Sequence, residues 1–336
     1  MQHSEAALAW RIFSYNWVLI GLMGVALLCG MLLAGFSIEP TSAALSLAIT
    51  TAYIAGAYYK RQKRDPLAIF ILGSTGQVLL IPVLMAPMTY VAAAADFPLR
   101  DAQLASLDRA LGFDWSAYHN LIGSHSTWVE GAVLAYSMIG WPLFGIPVAL
   151  GIARHYRRMQ EFTLAFGFSL IVTTAITVLV PAVGIYDAHT FTAGGAPFMS
   201  EAYLHHLHDF PMVRAGTLRG LDLTKLTGIV TFPSFHAAAA VVYLWALWSV
   251  WWMRPIALVA NGAMLLATPY VGGHYFIDVF AGIGVAVAAI TMARSIANYL
   301  ARPARQSLGS ASDEATPAEA AAGNGYFEPS SPATAR

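Results

Sequence analysis

Apolar runs long enough to cross a bilayer dominate the chain, at about 17–36, 42–59, 67–95, 127–153, 160–183, 236–253, 256–272 and 275–299. A helix rises about 1.5 Å per residue, so roughly 20 residues cross a hydrocarbon core about 30 Å thick. Backbone polar groups in lipid find no water and must pair within their own segment, which makes these runs helices. Only 11% of the 336 residues are charged, against about 25% in a soluble domain. Such a chain cannot cover a water-facing surface. The expected fold is all-α: a polytopic membrane helix bundle of about eight transmembrane helices over residues 1–302. The third span is expected to bend or break at Pro82 and Pro87.

The lysines and arginines test that count. With eight spans, Arg11, Lys60, Arg61, Lys63, Arg64, Arg154, Arg157, Arg158, Arg254, Arg294, Arg302 and Arg305 share one side, mostly in short connections. Arg100, Arg109, Arg214, Arg219 and Lys225 share the other, spread over longer loops. The positive-inside rule then puts both termini in the cytoplasm. The setting this suggests is a bacterial inner membrane, with the opposite face periplasmic (lumenal in a eukaryote). Trp248, Trp251 and Trp252 beside Arg254 fit a cytoplasmic aromatic belt. Trp17–Phe36 is too long for a signal-peptide core and reads as a retained first span. The single cysteine, Cys29, rules out a disulfide framework and a cysteine metal site. A formal net charge of zero carries no pointer to nucleic acid. The expected partners are membrane lipids, and nothing in the chain sets an oligomeric state.

Two outer segments stand apart. Residues 99–123 space Leu104, Leu107 and Leu111 helically among Asp101, Asp108 and Arg109. That pattern predicts a short amphipathic helix lying in the interface, with Trp115 as its anchor. Residues 184–232 form the longest polar stretch and hold His189, His205, His206 and His208; a loop of this length is expected to be functional. The tail, 303–336, is rich in Ala, Ser, Pro and Gly and is expected to be a disordered cytoplasmic extension.

Two histidine motifs flank an apolar hairpin. The first is Thr231-Phe-Pro-Ser-Phe-His236, and the second is Gly272-Gly-His-Tyr-Phe-Ile-Asp278. The chain between them crosses the membrane, turns at Arg254-Pro255 and returns, so His236 and His274 come to one rim. With a helix starting near His274, the i,i+4 spacing puts His274 and Asp278 on one face. A carboxylate there fixes the imidazole's tautomer and leaves the other ring nitrogen free to attack or to take a proton. Pro233 suits the first turn of the preceding helix. That helix's N-terminus is a seat for phosphate, Ser234 adds a hydroxyl, and His236 can hand a proton to a leaving alkoxide. Taken singly, each motif also fits a plain structural role: a His–Asp pair sealing a helix end, or a capped helix with an interfacial histidine.

The conjunction resembles the type 2 phosphatidic acid phosphatase superfamily, over residues 231–282. The resemblance implies a six-helix phosphatase-like core acting on lipid phosphates with no metal or other cofactor. It also implies His274 as a nucleophile forming phosphohistidine, Asp278 as its orienting carboxylate and His236 as acid/base. The departures narrow the branch. Phe235 stands where the usual second motif has glycine, Ala267-Thr268 stand where the third has Ser-Arg, and the first motif is missing; Arg254-Pro255 follows the second motif and lies on the wrong face. These features resemble the inositol phosphorylceramide synthase branch, whose Thr-x-Tyr-x-x-x-His-Tyr-x-x-Asp pattern fits Thr268, Tyr270, His274, Tyr275 and Asp278. That resemblance implies transfer of a phospho-headgroup between lipids, with simple hydrolysis of a lipid phosphate as the alternative.

Without the motif arginines the phosphate needs other cations. Arg214, Arg219 and Lys225 are the expected substrate-binding substitutes, beside Ser234 and Tyr275, with Arg100 a weaker candidate. His205, His206 and His208 with Asp209 are dense in imidazole but lack the spacing of a closed zinc site, so no metal is expected. Glu130 reads as a buried hydrogen-bonding partner. A proton-coupled transporter using His236, His274 and Asp278 is a rival of another class, yet transporters place their sites near the midplane of repeats, and no repeat is visible. A structural scaffold leaves the paired motifs without a purpose.

Overall fold

The computed structural model describes residues 2–62, 66–188 and 201–302. His189, Lys63, Arg64 and the tail 303–336 lie outside the described residues. The chain runs through α1 (Gln2–Ala34), α2 (Pro40–Gln62), α3 (Pro66–Ala93), α4 (Asp101–Ala110), α5 (Trp115–Gly123), α6 (Ser126–Ser137), α7 (Pro142–Ile152) and α8 (Tyr156–Leu179). It continues through α9 (Ile185–Ala188), α10 (Glu201–Arg214), α11 (Phe235–Leu247), α12 (Arg254–Val271) and α13 (Phe276–Ala301). Two-residue strands β1 (Ser37–Ile38) and β2 (Gly220–Leu221) pair in parallel and stitch the segment between α10 and α11 to the end of α1. The all-α membrane bundle is present.

Every expected span is helical, but the spans are unequal. Among the described residues, α1, α3, α8 and α13 are long and apolar enough to cross a membrane, and α6 with α7 makes a fifth if that bent pair is one span. The expected eight overcounts by this measure. α11 has only 13 residues, about 20 Å of rise, and neither α2 nor α12 reaches the same apolarity.

The break also falls elsewhere than expected. α3 continues through Pro82 and Pro87, whereas the fourth span bends by 65° between α6 and α7. Pro142 opens α7 after a turn of 3-10 helix, Met138–Gly140. It cannot donate to the preceding turn, and its ring crowds the carbonyl four residues back.

α3, α8, α11 and α13 share the main core, where Phe70, Phe162, Phe166 and Tyr243 are fully buried. A polar knot ties α1 to α3 and α8: Asn16 donates to the Gln160 side chain at 3.1 Å, and Gln160 donates to Ser74 at 2.8 Å. Between helices, where lipid competes with apolar contact, such bonds supply part of the cohesion.

The start of α11 packs tightly on α13 at Gly282. A Cβ there would collide with the Ser234 carbonyl and lie 3.0 Å from the Ala237 Cβ. Gly282→Val is therefore expected to cost about 1–3 kcal/mol by overpacking. It should lower the thermal midpoint in detergent and separate the two motifs, and an unchanged midpoint would contradict this packing.

Candidate active site

The local structure around the first motif begins with Ser234, the N-cap of α11. Its side chain accepts the Ala237 N–H at 3.3 Å, a bond that satisfies one orphan donor of the first turn. Pro233 consequently lies just before the cap rather than in the first turn. His236 is the second residue of the helix. The Ser234 N–H donates to the Asp278 carbonyl at 3.0 Å, tying the start of α11 to the first turn of α13.

The second motif is built differently from the expectation. α13 starts at Phe276, so His274 stands outside the helix. The His–Asp pair forms because Asp278, third in the helix, reaches back. Its Oδ2 accepts from His274 Nδ1 at 3.2 Å and from the Tyr275 N–H at 3.0 Å. A carboxylate at that position bonding the N–H ahead of the helix is half of a capping box.

Asp108 of α4 takes the next two donors, the N–H groups of Phe276 and Ile277, each at 2.8 Å. Asp101, on the same helix, accepts from the N–H groups of Val183 and Gly184 at 3.1 and 2.9 Å. The amphipathic segment is thus a buckle across the C-terminal end of α8 and the N-terminal end of α13. Trp115 belongs to this packing and is not a membrane anchor: it is buried, and its indole donates to the Pro269 carbonyl at 3.4 Å.

His274 is 3% exposed. Its Nδ1 faces the Asp278 carboxylate, and the Ser234 hydroxyl lies 3.4 Å from Nε2. Gly272 makes room for this ring, and Gly273 for the ring of Tyr203. A Cβ on Gly272 would come within 2.5 Å of the Tyr136 hydroxyl and 2.8 Å of His274 Cδ2. Gly273 has φ +63°, the left-handed region that suits glycine. Tyr136, from α6, stacks on His236 with ring centroids 3.7 Å apart and planes 11° from parallel.

A cavity of about 270 Å³ joins these groups. Its walls include Met85 and Thr89 of α3, Leu170 and Thr173 of α8, and three histidines, His206, His236 and His274. His206 emerges from the structure as a third imidazole of the site. It is buried, with Nε2 3.0 Å from the Val183 carbonyl and 3.2 Å from the Thr231 hydroxyl. A carbonyl can only accept, so Nε2 carries the hydrogen. Burial pushes this imidazole down to about 4, against the opposing bond to Val183, which leaves it neutral at pH 7. Its spacing held the signal: Tyr203, His206, Phe210 and Val213 recur every three or four residues and are all buried, the inward face of α10.

The histidine run around it separates. His208 is exposed and pairs with Asp209 at 2.8 Å. Among the described residues, no group of three or more His, Cys, Asp or Glu could hold a metal ion.

The expected phosphate cations are not brought to the histidines. Arg214 pairs with Asp96 at 2.6 Å. Arg219 donates to the Val213 and Leu218 carbonyls at 2.8 and 2.9 Å and covers the Phe36 ring. Lys225 reaches Asp222 at 3.2 Å with its side chain 76% exposed. None of them, and not Arg100, lines the cavity. Tyr275 is buried behind it, its hydroxyl 3.3 Å from Asp101. Glu130 is exposed rather than buried.

The sequence pattern of the PAP2 superfamily matches residues 102–292, from α4 into α13. No curated protein and no solved structure matches the chain. The matched region is more than half of the 336 residues and contains both histidine motifs, so this multi-pass membrane protein belongs to the PAP2 superfamily.

Proposed function

We propose that the protein moves a phospho-headgroup from a membrane phospholipid to a lipid alcohol through a phosphohistidine on His274. The observation that carries this reading is the placing of His274: Asp278 holds its Nδ1, and the residue lines a cavity shared with His236. Membership of the PAP2 superfamily points to phosphatase-type chemistry on lipid phosphates.

In the first step the Nε2 lone pair attacks phosphorus and the bond to the lipid alkoxide breaks. His236 gives its proton to that alkoxide. In the second step the acceptor hydroxyl attacks phosphorus, the P–N bond breaks, and the hydroxyl's proton passes to His236, which restores the start. Asp278 stabilises the charged imidazole between the steps. Ser234 and the N-terminus of α11 supply donors to the phosphoryl oxygens. No metal is part of this scheme.

The site's charge favours transfer of a headgroup over hydrolysis of a phosphate monoester. No lysine, arginine or carboxylate is among the cavity-lining residues described, and residues 189–200 of the outer loop contain no lysine or arginine. A phosphodiester brings one negative charge into such a site and a monoester up to two, and burying charge without a partner is costly. The Pro-Ser-Phe-His motif and the Thr268-to-Asp278 pattern also favour the inositolphosphotransferase branch, with a sphingolipid-type alcohol as acceptor. The lysine and arginine distribution supports a periplasmic active site in a bacterial inner membrane with both termini cytoplasmic.

Purified protein given phosphatidylinositol, with and without ceramide or diacylglycerol, tests the reading. The expected product is the acceptor lipid carrying the donor's phospho-headgroup, identified by mass. Release of free phosphorylated headgroup at the same rate whether or not an acceptor is present would assign hydrolysis instead.

A further inference from the structure

Beside the histidine cavity lies a second hollow of about 580 Å³, between α1, α3 and α8. Leu19 and Met23 of α1, Met88 and Val91 of α3, and Ile171 and Val178 of α8 line it. Met85 lines both spaces, so a single unbranched, adaptable side chain forms the common wall. The two hollows use the same stretch of α8, Leu170 and Thr173 on the cavity side and Ile171 and Thr174 on the groove side. They therefore lie at one depth, in the half of the bundle that holds the histidines.

Two hydroxyls mark the boundary. On α8, Thr163 and Thr177 donate to carbonyls one turn back at 3.3 and 3.0 Å. Thr173 and Thr174 do not: each is at least nine-tenths buried, and each Oγ1 lacks a hydrogen-bond partner. Thr173 lines the cavity and Thr174 lines the groove. A buried hydroxyl without a partner is costly and calls for one. Apolar space on one side, a cavity with imidazoles on the other and free hydroxyls between them match the layout of one molecule class. That class is an amphiphile with a phosphate, a polar ester or amide linkage, and a hydrocarbon chain.

We propose that the groove between α1, α3 and α8 is the chain-binding half of the donor-lipid site. The lipid passes sideways between α3 and α8 across Met85, its chain rests in the groove, and Thr173 and Thr174 meet its polar linkage. α1 and α3 precede residue 102 and stand outside the family match, so this part of the site is contributed by helices the superfamily pattern does not describe. The inference rests on the lipid-phosphate reading above for what occupies the cavity.

Ala175 lines the groove and is exposed at its mouth, so Ala175→Trp fills the groove without overpacking the core. The measured quantity is the ratio of KM for long-chain phosphatidylinositol to KM for its dihexanoyl analogue, in one detergent. Ala175→Trp should raise that ratio at least about tenfold, equivalent to losing roughly two buried methylenes. Thr174→Val, which keeps the shape and removes the hydroxyl, should weaken both donors about fivefold. An unchanged ratio in Ala175→Trp overturns the proposal.

A binding measurement separates this inference from the catalytic one. Phosphatidylinositol with a diazirine in its acyl chain, in phosphatidylcholine vesicles, should label the α1 and α8 peptides that line the groove. Ala175→Trp and excess unlabelled phosphatidylinositol should both suppress that labelling. Groove labelling in a protein that turns over no lipid would sink the catalytic reading and keep the groove. Labelling indifferent to Ala175→Trp would sink the groove, whatever the turnover.

Discussion

His274→Ala is expected to abolish turnover, by at least about 10⁴-fold, because removing a covalent nucleophile leaves only binding and charge stabilisation to assist the reaction. The same change should eliminate labelled phosphate trapped on the protein by rapid quenching with a radioactive donor. In the unaltered protein that label should be stable in alkali and labile in acid, as a phosphoramidate is. Ser234 and Asp278 remain in place in the variant, so an intact circular dichroism spectrum and thermal midpoint should accompany the loss. Retention of substantial turnover, or of the label, would remove His274 from the nucleophile's role.

His236→Asn should behave in a way that depends on the leaving group. With a lipid alkoxide leaving, loss of the proton donor is expected to cost about 10²–10⁴-fold. With an aryl phosphodiester, whose leaving phenolate needs little protonation, the loss should shrink to about tenfold or less. That residual reflects the lost packing against Tyr136, which stacks on the imidazole face. Equal losses with the two donors would mean that His236 positions the substrate without transferring a proton.

The membrane bundle and the meeting of the two motifs were legible in the sequence because both follow from one-dimensional rules. Apolar length predicts the helices, and the helical hairpin of α11 and α12 returns the chain so that His236 and His274 line one cavity. The pairing of His274 with Asp278 was legible for a partly different reason from the one that operates. The i,i+4 spacing was right, yet the helix starts two residues later, and the contact depends on Asp278 folding back as a cap.

What could not be read depends on three-dimensional competition for charge. Arg214, Arg219 and Lys225 lie close to His236 in sequence, but each finds a nearer acceptor: Asp96, the Val213 and Leu218 carbonyls, and Asp222. His206 was hidden among its neighbours, since three histidines in a row of four residues look alike until one face of α10 is known to point inward. Trp115 misled in the opposite direction. An aromatic at the end of an amphipathic segment suggests a lipid anchor, and only the packing against α12 shows it to be internal.

The buckle made by α4 bears on the direction of the reaction. Asp108 accepts two N–H groups at the start of α13, and Asp278 accepts the one before them. Two carboxylates thus occupy the end of that helix, which would otherwise attract an anion. The N-terminus of α11 has no carboxylate on its N–H groups; its cap is the neutral hydroxyl of Ser234. A phosphate is therefore repelled from one helix start and drawn to the other. In the proposed reaction His274 approaches phosphorus from the α13 side while the oxygens settle toward α11 and His236. Under the proposed mechanism the polarity of the two helix ends sets which face of the phosphorus is attacked and on which side the alcohol departs.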